Sequence, residues 1–396
     1  MARFILSLAA LERNARVLRE VAQRSGAHML LALKAFSTTS CFSALKEAAA
    51  GCCASGLYEA RLGHRYLGGH VAVFSPAYRP RELAELLCFA HHIDFNSLPQ
   101  WMRFREQCLA HPRAREGRVR FGLRLNPCYS TGHTPMYDPC VPGSRLGIPP
   151  EQLQGADLRG ISGLHIHTLC EQGAQDLIDT FRAFEQHFGS LAASPAITYL
   201  NLGGGHWITK PDYDREALIA LLREIRQRYG TELFLEPGEA WAIHTGVLRV
   251  KVLDVFESLG YHHAILDASA SAHMPDVLEM PYRPDVFLPT PYGSDTPALS
   301  LPGEHYTRAG EPGVLPYTYR LGGPTCLAGD VIGDYSFPCM LRPGDELVLD
   351  DMAHYTIVKT SHFNGVPHPA ISVLHPDGRE ETVCQLHYED FLRRLG

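Results

Sequence analysis

Between residues 28 and 236 the chain repeats one phrase eight times: a short apolar run, then a stretch with helical spacing. The runs begin at His28-Met29-Leu30-Leu31, Cys52-Cys53-Ala54, Val71-Ala72-Val73-Phe74, His92-Ile93-Asp94-Phe95, Val119-Arg120-Phe121, Ile161-Ser162-Gly163-Leu164, Ile197-Thr198-Tyr199-Leu200 and Glu232-Leu233-Phe234-Leu235. Continuous apolar runs of this length belong to strands buried on both faces, as in parallel sheets, and the helical text supplies the crossovers. Eight units argue for a closed (β/α)8 TIM barrel. An open doubly wound sheet is the alternative, and it has no need of eight. In a barrel the chemistry sits at the C-terminal strand ends. The polar residues there are Lys34, Ser55, Asn96, Arg124 with Asn126, His167, Gly203 to Gly205, and Glu236.

After Glu236 the rhythm changes. Residues 246–255, 263–267, 346–349 and 355–358 read as strands with no helices between them, and Pro and Gly become frequent. This predicts a C-terminal antiparallel β domain. The expected domains are a barrel over 8–245 and a β domain over 246–396, joined by a first strand within residues 1–7. The formal net charge of −7 gives no electrostatic case for nucleic acid. The 11 cysteines are odd in number and scattered, which suits reduced thiols of a cytoplasmic protein better than a disulfide framework or a zinc site. No run is long enough to span a membrane, and no cleavable leader is visible.

Lysine is scarce: Lys34, Lys46, Lys210, Lys251 and Lys359 are all there is. Lys34 ends an apolar run, where burial would lower its pKa and free an amine for imine chemistry with a carbonyl compound such as pyridoxal 5′-phosphate (PLP). A lysine snorkelling at a strand end is the plainer alternative. Gly203-Gly204-Gly205 can bring backbone N–H groups close to an anion, or can be a tight turn. Glu236 can hold a pyridine nitrogen protonated, or cap the next turn. His165 and His167 share one strand face. They can ligate a metal with His206, or one can stack on a flat cofactor ring while the other packs. Cys326 lies on a Gly/Pro loop and can donate a proton, or be a small turn residue.

Taken in order, these pieces resemble the PLP-dependent decarboxylases of the alanine-racemase-like class. The matching pieces are Leu33-Lys34-Ala35, Ala54-Ser55, Arg124-Leu125-Asn126-Pro127, Ser144-Arg145-Leu146-Gly147, His165-Ile166-His167, the triple glycine, Glu236-Pro237-Gly238, Gly323-Pro324-Thr325-Cys326 and Ala353-His354-Tyr355-Thr356. Within the class, Asp267 to Asp276 and His354 to Gly365 look most like the carboxynorspermidine/carboxyspermidine decarboxylase family. The resemblance implies that Lys34 carries PLP, His167 stacks on its ring, and Glu236 bonds the pyridine nitrogen. Gly203, Gly204, Gly205 and Tyr355 would hold the phosphate. Cys326 would reach in from the partner subunit of a homodimer to protonate the reacting carbon. Glu239 stands where relatives acting on ornithine or diaminopimelate carry an arginine that contacts the phosphate. Glu279 lies near the place of a substrate-carboxylate arginine in diaminopimelate decarboxylases. Anions here suit a substrate with a distal amine, so Asp276 and Glu279, with Asp330 of the Cys326 loop, are the expected substrate-binding residues. The implied activity is removal of the α-carboxylate of carboxynorspermidine or carboxyspermidine. A decarboxylase of another diamino acid such as diaminopimelate, or a metal-dependent barrel hydrolase, are the alternatives.

Overall fold

All eight apolar runs form strands, and the strands close. The computed structural model describes residues 1–396. A first strand, β1 (Arg3–Ser7), precedes the barrel strands β2 (His28–Ala32), β3 (Gly51–Ala54), β4 (His70–Ser75), β5 (His92–Phe95), β6 (Arg120–Arg124), β7 (Ile161–His165), β8 (Tyr199–Asn201) and β9 (Glu232–Leu235). Each pairs in parallel with the next, and β9 returns to β2 through His28↔Phe234 and Met29↔Leu235. The TIM barrel is therefore closed. Its helices are built as their sequences direct. In Arg215–Tyr229, Asp214 caps the start by accepting from the Ala217 N–H, Gly230 ends it in the left-handed region, and Leu218, Leu222 and Ile225 form the buried stripe. Residues 39–50 depart from the expected helix. Only Thr39–Ala44 is helical, as a 3₁₀ turn. The Thr38-Thr39-Ser40 run is a poor helix former, and the Ala50 N–H is drawn back onto the Met29 carbonyl beside β2.

The lower interior of the barrel is filled by rings. His92 lies flat on Tyr199 with centroids 3.7 Å apart, and Phe234 meets both edge-on. Glycines on β6 and β7 make the room: a methyl added at Gly163 would stand 1.8 Å from the Tyr199 ring.

By its internal contacts the chain divides into two compact units, residues 13–241 and residues 1–12 with 242–396. The second unit is a ten-stranded sheet. Its further strands are β10 (Gly246–Ser258), β11 (Tyr261–Leu266), β12 (Val286–Pro289), β13 (Tyr306–Arg308), β14 (Tyr317–Gly322), β15 (Val331–Phe337), β16 (Glu346–Leu349), β17 (Ala370–Leu374) and β18 (Glu380–Cys384). The main path runs β13-β12-β16-β10-β1-β17-β18, and β11, β14 and β15 continue from β10. The sheet is mostly antiparallel, with two parallel pairs, β1 with β17 and β11 with β14. Those pairs join strands far apart in the chain, where no hairpin dictates direction. Phe4, Leu248, Val250, Leu266, Leu321 and Leu347 belong to its core. Residues 355–358 are not the strand that their β-branched text suggests. Tyr355 has φ +56°, Ile357–Lys359 form a 3₁₀ turn, and the Thr356 hydroxyl donates back to the Met352 carbonyl. Hydroxyls that bond their own backbone in this way favour turns over sheet ladders. No helix is long and apolar enough to cross a membrane.

Gly163→Ala should overpack the barrel floor and cost about 2–3 kcal/mol in urea unfolding. Gly329→Ala, whose added methyl meets nothing within 4 Å, should stay within about 0.5 kcal/mol of the parent.

Candidate active site

The C-terminal ends of the barrel strands gather five of the expected groups. β2 stops at Ala32, and the chain turns there, with the Ala35 and Phe36 N–H groups both donating to the Ala32 carbonyl. That turn buries Leu33, Ala35 and Phe36 and leaves Lys34 exposed. The buried strand-end lysine expected from the sequence is thus a turn lysine, because its apolar neighbours take the interior positions. Its ammonium is still close enough to act electrostatically on both His167 and Glu236.

The glycine turn is held by close backbone approach. A side chain at Gly204 would strike the Glu236 carbonyl at 2.1 Å, and one at Gly205 the Leu169 carbonyl at 2.0 Å. The Gly203 N–H donates to Asn201 Oδ1 and the Gly204 N–H to His167 Nδ1, both at 3.0 Å. Two of the three amides expected to face an anion are therefore spent inside the site, and the Gly205 amide is the one left. The His167 ring is oriented by its bond from Gly204. Burial drives its pKa well below the ordinary histidine value, and Lys34 and Arg124 push it the same way. It is a neutral, fixed, flat ring.

Glu236 is the electrostatic centre. Burial would raise its pKa, but the His165 imidazole, the Asn201 amide (2.7 Å to Oε1) and Lys34 outweigh burial and bring it down to about 2. Behind it, His165 is buried with one ring nitrogen 3.5 Å from Glu236 Oε2 and the other 3.4 Å from Asp94 Oδ2. Neither contact is an aligned hydrogen bond. Asp94 accepts from the Tyr199 hydroxyl at 2.6 Å, and burial pushes its pKa up to about 6. Arg124 is buried beneath the same end, over the Phe74 ring and donating to the His167 carbonyl. Asp94 and Tyr199 belong to no motif in the sequence. A lone aspartate inside an apolar strand was the available signal.

The metal trio of the alternative reading does not assemble. His167 accepts from Gly204, His206 pairs with the Tyr213 hydroxyl at 2.5 Å, and His165 lies between two carboxylates, so the three rings serve different partners.

In the second unit, Cys326 is exposed on a loop whose backbone is pinned by Asn364 Oδ1, which accepts from the Cys326 N–H at 2.9 Å. Asp330 is buried and accepts from the Ser269 hydroxyl at 2.9 Å and the Thr325 hydroxyl at 2.6 Å, and from the Ser271 and Thr325 amides. It is the pin of the Cys326 loop and not an open acceptor for a substrate amine, because these neighbours already occupy its oxygens. Asp276 and Glu279 both hold the ammonium of Lys359, with Glu279 Oε2 at 2.6 Å. In the sequence Lys359 is marked only as one of few lysines. Tyr355 stands on the left-handed turn described above.

A closed barrel with a lysine, a neutral imidazole, a glycine turn and an ionised carboxylate at one end, followed by a sheet-rich unit, defines the alanine-racemase-like decarboxylase class. A family described as pyridoxal-dependent decarboxylase, C-terminal sheet domain, matches residues 33–353. The chain belongs to this family. It is 42% identical to carboxyaminopropylagmatine decarboxylase of Synechocystis sp., over 99% of this chain and 95% of that protein. It is 37% identical to carboxynorspermidine/carboxyspermidine decarboxylase of Campylobacter jejuni, over 99% of this chain and 97% of that one. The crystal structure of Campylobacter jejuni carboxynorspermidine decarboxylase with norspermidine superposes with a TM-score of 0.84 at 36% identity, covering 100% of this chain and 99% of that one.

The Glu236 carboxylate ties stability to pH. Its folded pKa lies below its unfolded value, so its stabilising contribution is present above about pH 4.5 and is lost as pH falls towards 2. The gap corresponds to about 3 kcal/mol. Urea unfolding between pH 7 and 3 should show about 2 kcal/mol of that loss, and Glu236→Gln should remove its share of it.

Proposed function

We propose that this decarboxylase acts on a carboxylated polyamine, carboxynorspermidine or carboxyspermidine, and that its barrel end holds PLP. The observation that carries the reading is Glu236, a buried carboxylate kept ionised beside Lys34 and a neutral imidazole. The barrel end offers Lys34 for the cofactor's aldehyde carbon, the His167 ring for its face, Glu236 for its pyridine nitrogen and Gly205 for its phosphate, and the resemblance adds Tyr355 as a further phosphate contact. When bound, PLP supplies the electron sink that takes up the electron pair released as the α-carboxylate departs. Glu236 keeps the ring nitrogen protonated, which favours decarboxylation over the simple proton exchange of racemases. Cys326, on its pinned loop, returns a proton to the carbon, reaching it from the partner of a homodimer in the cytoplasm.

Asp276 and Glu279 take the substrate's distal cation. Their partner within the chain, Lys359, is an ammonium on a flexible four-carbon stem, so the pair already matches that chemistry. A second substrate, carboxyaminopropylagmatine, is favoured by the 42% identical relative. Two carboxylates also suit a guanidinium.

Purified protein with PLP should be yellow, and borohydride should fix the cofactor on Lys34. Colourless protein unchanged by added PLP would refute the reading. Release of CO₂ from carboxynorspermidine, carboxyspermidine, carboxyaminopropylagmatine, diaminopimelate and ornithine should separate the substrates, with the last two at least about tenfold slower in kcat/KM. Lys34→Ala and Cys326→Ala should each be nearly inactive alone. Mixed and reassorted, they should regain about one quarter of wild-type activity, because half of the dimers are hybrid and each hybrid has one intact site.

A further inference from the structure

Asp94, on the interior face of β5, is buried to 1% exposure, two carboxylates deep from the barrel mouth. If its task were only to accept from Tyr199, an asparagine would do it without the cost of burying a charge. Its second oxygen instead faces His165 Nδ1, whose other nitrogen faces Glu236. Both ring nitrogens of His165 therefore meet carboxylate oxygens. Only the doubly protonated ring turns an N–H towards each; a neutral ring would set a lone pair against an anion.

We propose that Asp94 and His165 form a positioning pair that holds an imidazolium behind Glu236 and so fixes a shared proton on the cofactor's pyridine nitrogen instead of on Glu236. This rests on the reading of Glu236 given under Proposed function. A carboxylate backed by a cation has low proton affinity, so it leaves that proton on the nitrogen, where the electron sink needs it. With Asp94 neutral, His165 loses the anion on its Nδ1 side, and the positive charge behind Glu236 loses its support. Glu236 then competes for the proton, and the sink weakens. The other groups around His165 do not replace Asp94. Phe74 meets the ring edge-on, and Asn201 and Tyr199 are neutral donors to the two carboxylates. Arg124, Lys34 and neutral His167 add positive or no charge. Asp94 is the anion that makes the imidazolium stable.

The test uses holoenzyme loaded with PLP carrying ¹⁵N in the ring, whose resonance reports whether that nitrogen is protonated, together with kcat and KM. Wild type should show a protonated ring. Asp94→Asn should move the resonance towards the neutral position and lower kcat about tenfold or more, since each pKa unit gained by Glu236 is tenfold in proton partition. KM for the polyamine substrate should stay within about threefold. Tyr199→Phe keeps the ring on His92, removes one donor from Asp94, and should shift both readouts the same way by less; it decides the matter if Asp94→Asn does not fold. A protonated resonance and unchanged kcat in the folded variants would overturn the positioning pair alone. Wild type that takes up no cofactor would overturn the Glu236 reading and this one together, before any variant is made.

Discussion

An ionised carboxylate can persist inside a barrel only if fixed neighbours replace the water it has lost. The site is organised around that constraint. Glu236 gains an amide donor from β8, an imidazole from β7 and an ammonium from the turn after β2. The strand register supplies the amide and the imidazole without special loops. His165 stands opposite Asn201 across β7 and β8, Asn201 stands opposite Phe234 across β8 and β9, and Glu236 follows Phe234 by one pleat on the same face. Barrel closure thus delivers the donors to the acceptor. The same closure buries Asp94 from β5, which makes the array an imidazole between two carboxylates and not a single pair.

Below this charged layer the barrel turns aromatic. Tyr199 serves both levels: its ring packs on His92, and its hydroxyl reaches Asp94. Gly122 and Gly163 are the cost of that ring, since a methyl on Gly122 would stand 2.5 Å from the Tyr199 oxygen. Packing and electrostatics are therefore coupled at one residue. A change that lets the ring drift would loosen the hydrogen bond to Asp94, and through it the surroundings of His165 and Glu236.

The barrel was legible because each of its strands is buried on both faces, so eight apolar runs marked eight strands. Lys34, His167, Gly203 to Gly205 and Glu236 stood out because polar groups closing apolar runs are rare without a task. Less visible were features set by partners distant in sequence. Asp94 lies 71 residues from His165 (165 − 94), and nothing local tells which ring will face it. Lys359 reaches Asp276 from 83 residues away. The donors that occupy Asp330 come from both its own loop and Ser269. The turn that exposes Lys34 depends on where Ala35 and Phe36 find room, and residues 355–358 carry strand-like side chains whose hydroxyl instead folds them into a turn.

The acidic residues work at two depths, and depth decides what each can do. Glu236 and Asp94 have partners that cannot leave, so their charge state is set by the fold and is little screened by salt. Asp276 and Glu279 are partly exposed, at 17% and 46%, and their cation rides on a lysine that is itself 30% exposed. Such a pair gains little from any single partner, because water and salt compete for it. An exchangeable contact of this kind suits recognition, where a ligand's cation must displace what is already there. A contact that cannot exchange suits catalysis, where the charge must already be in place when the bond breaks.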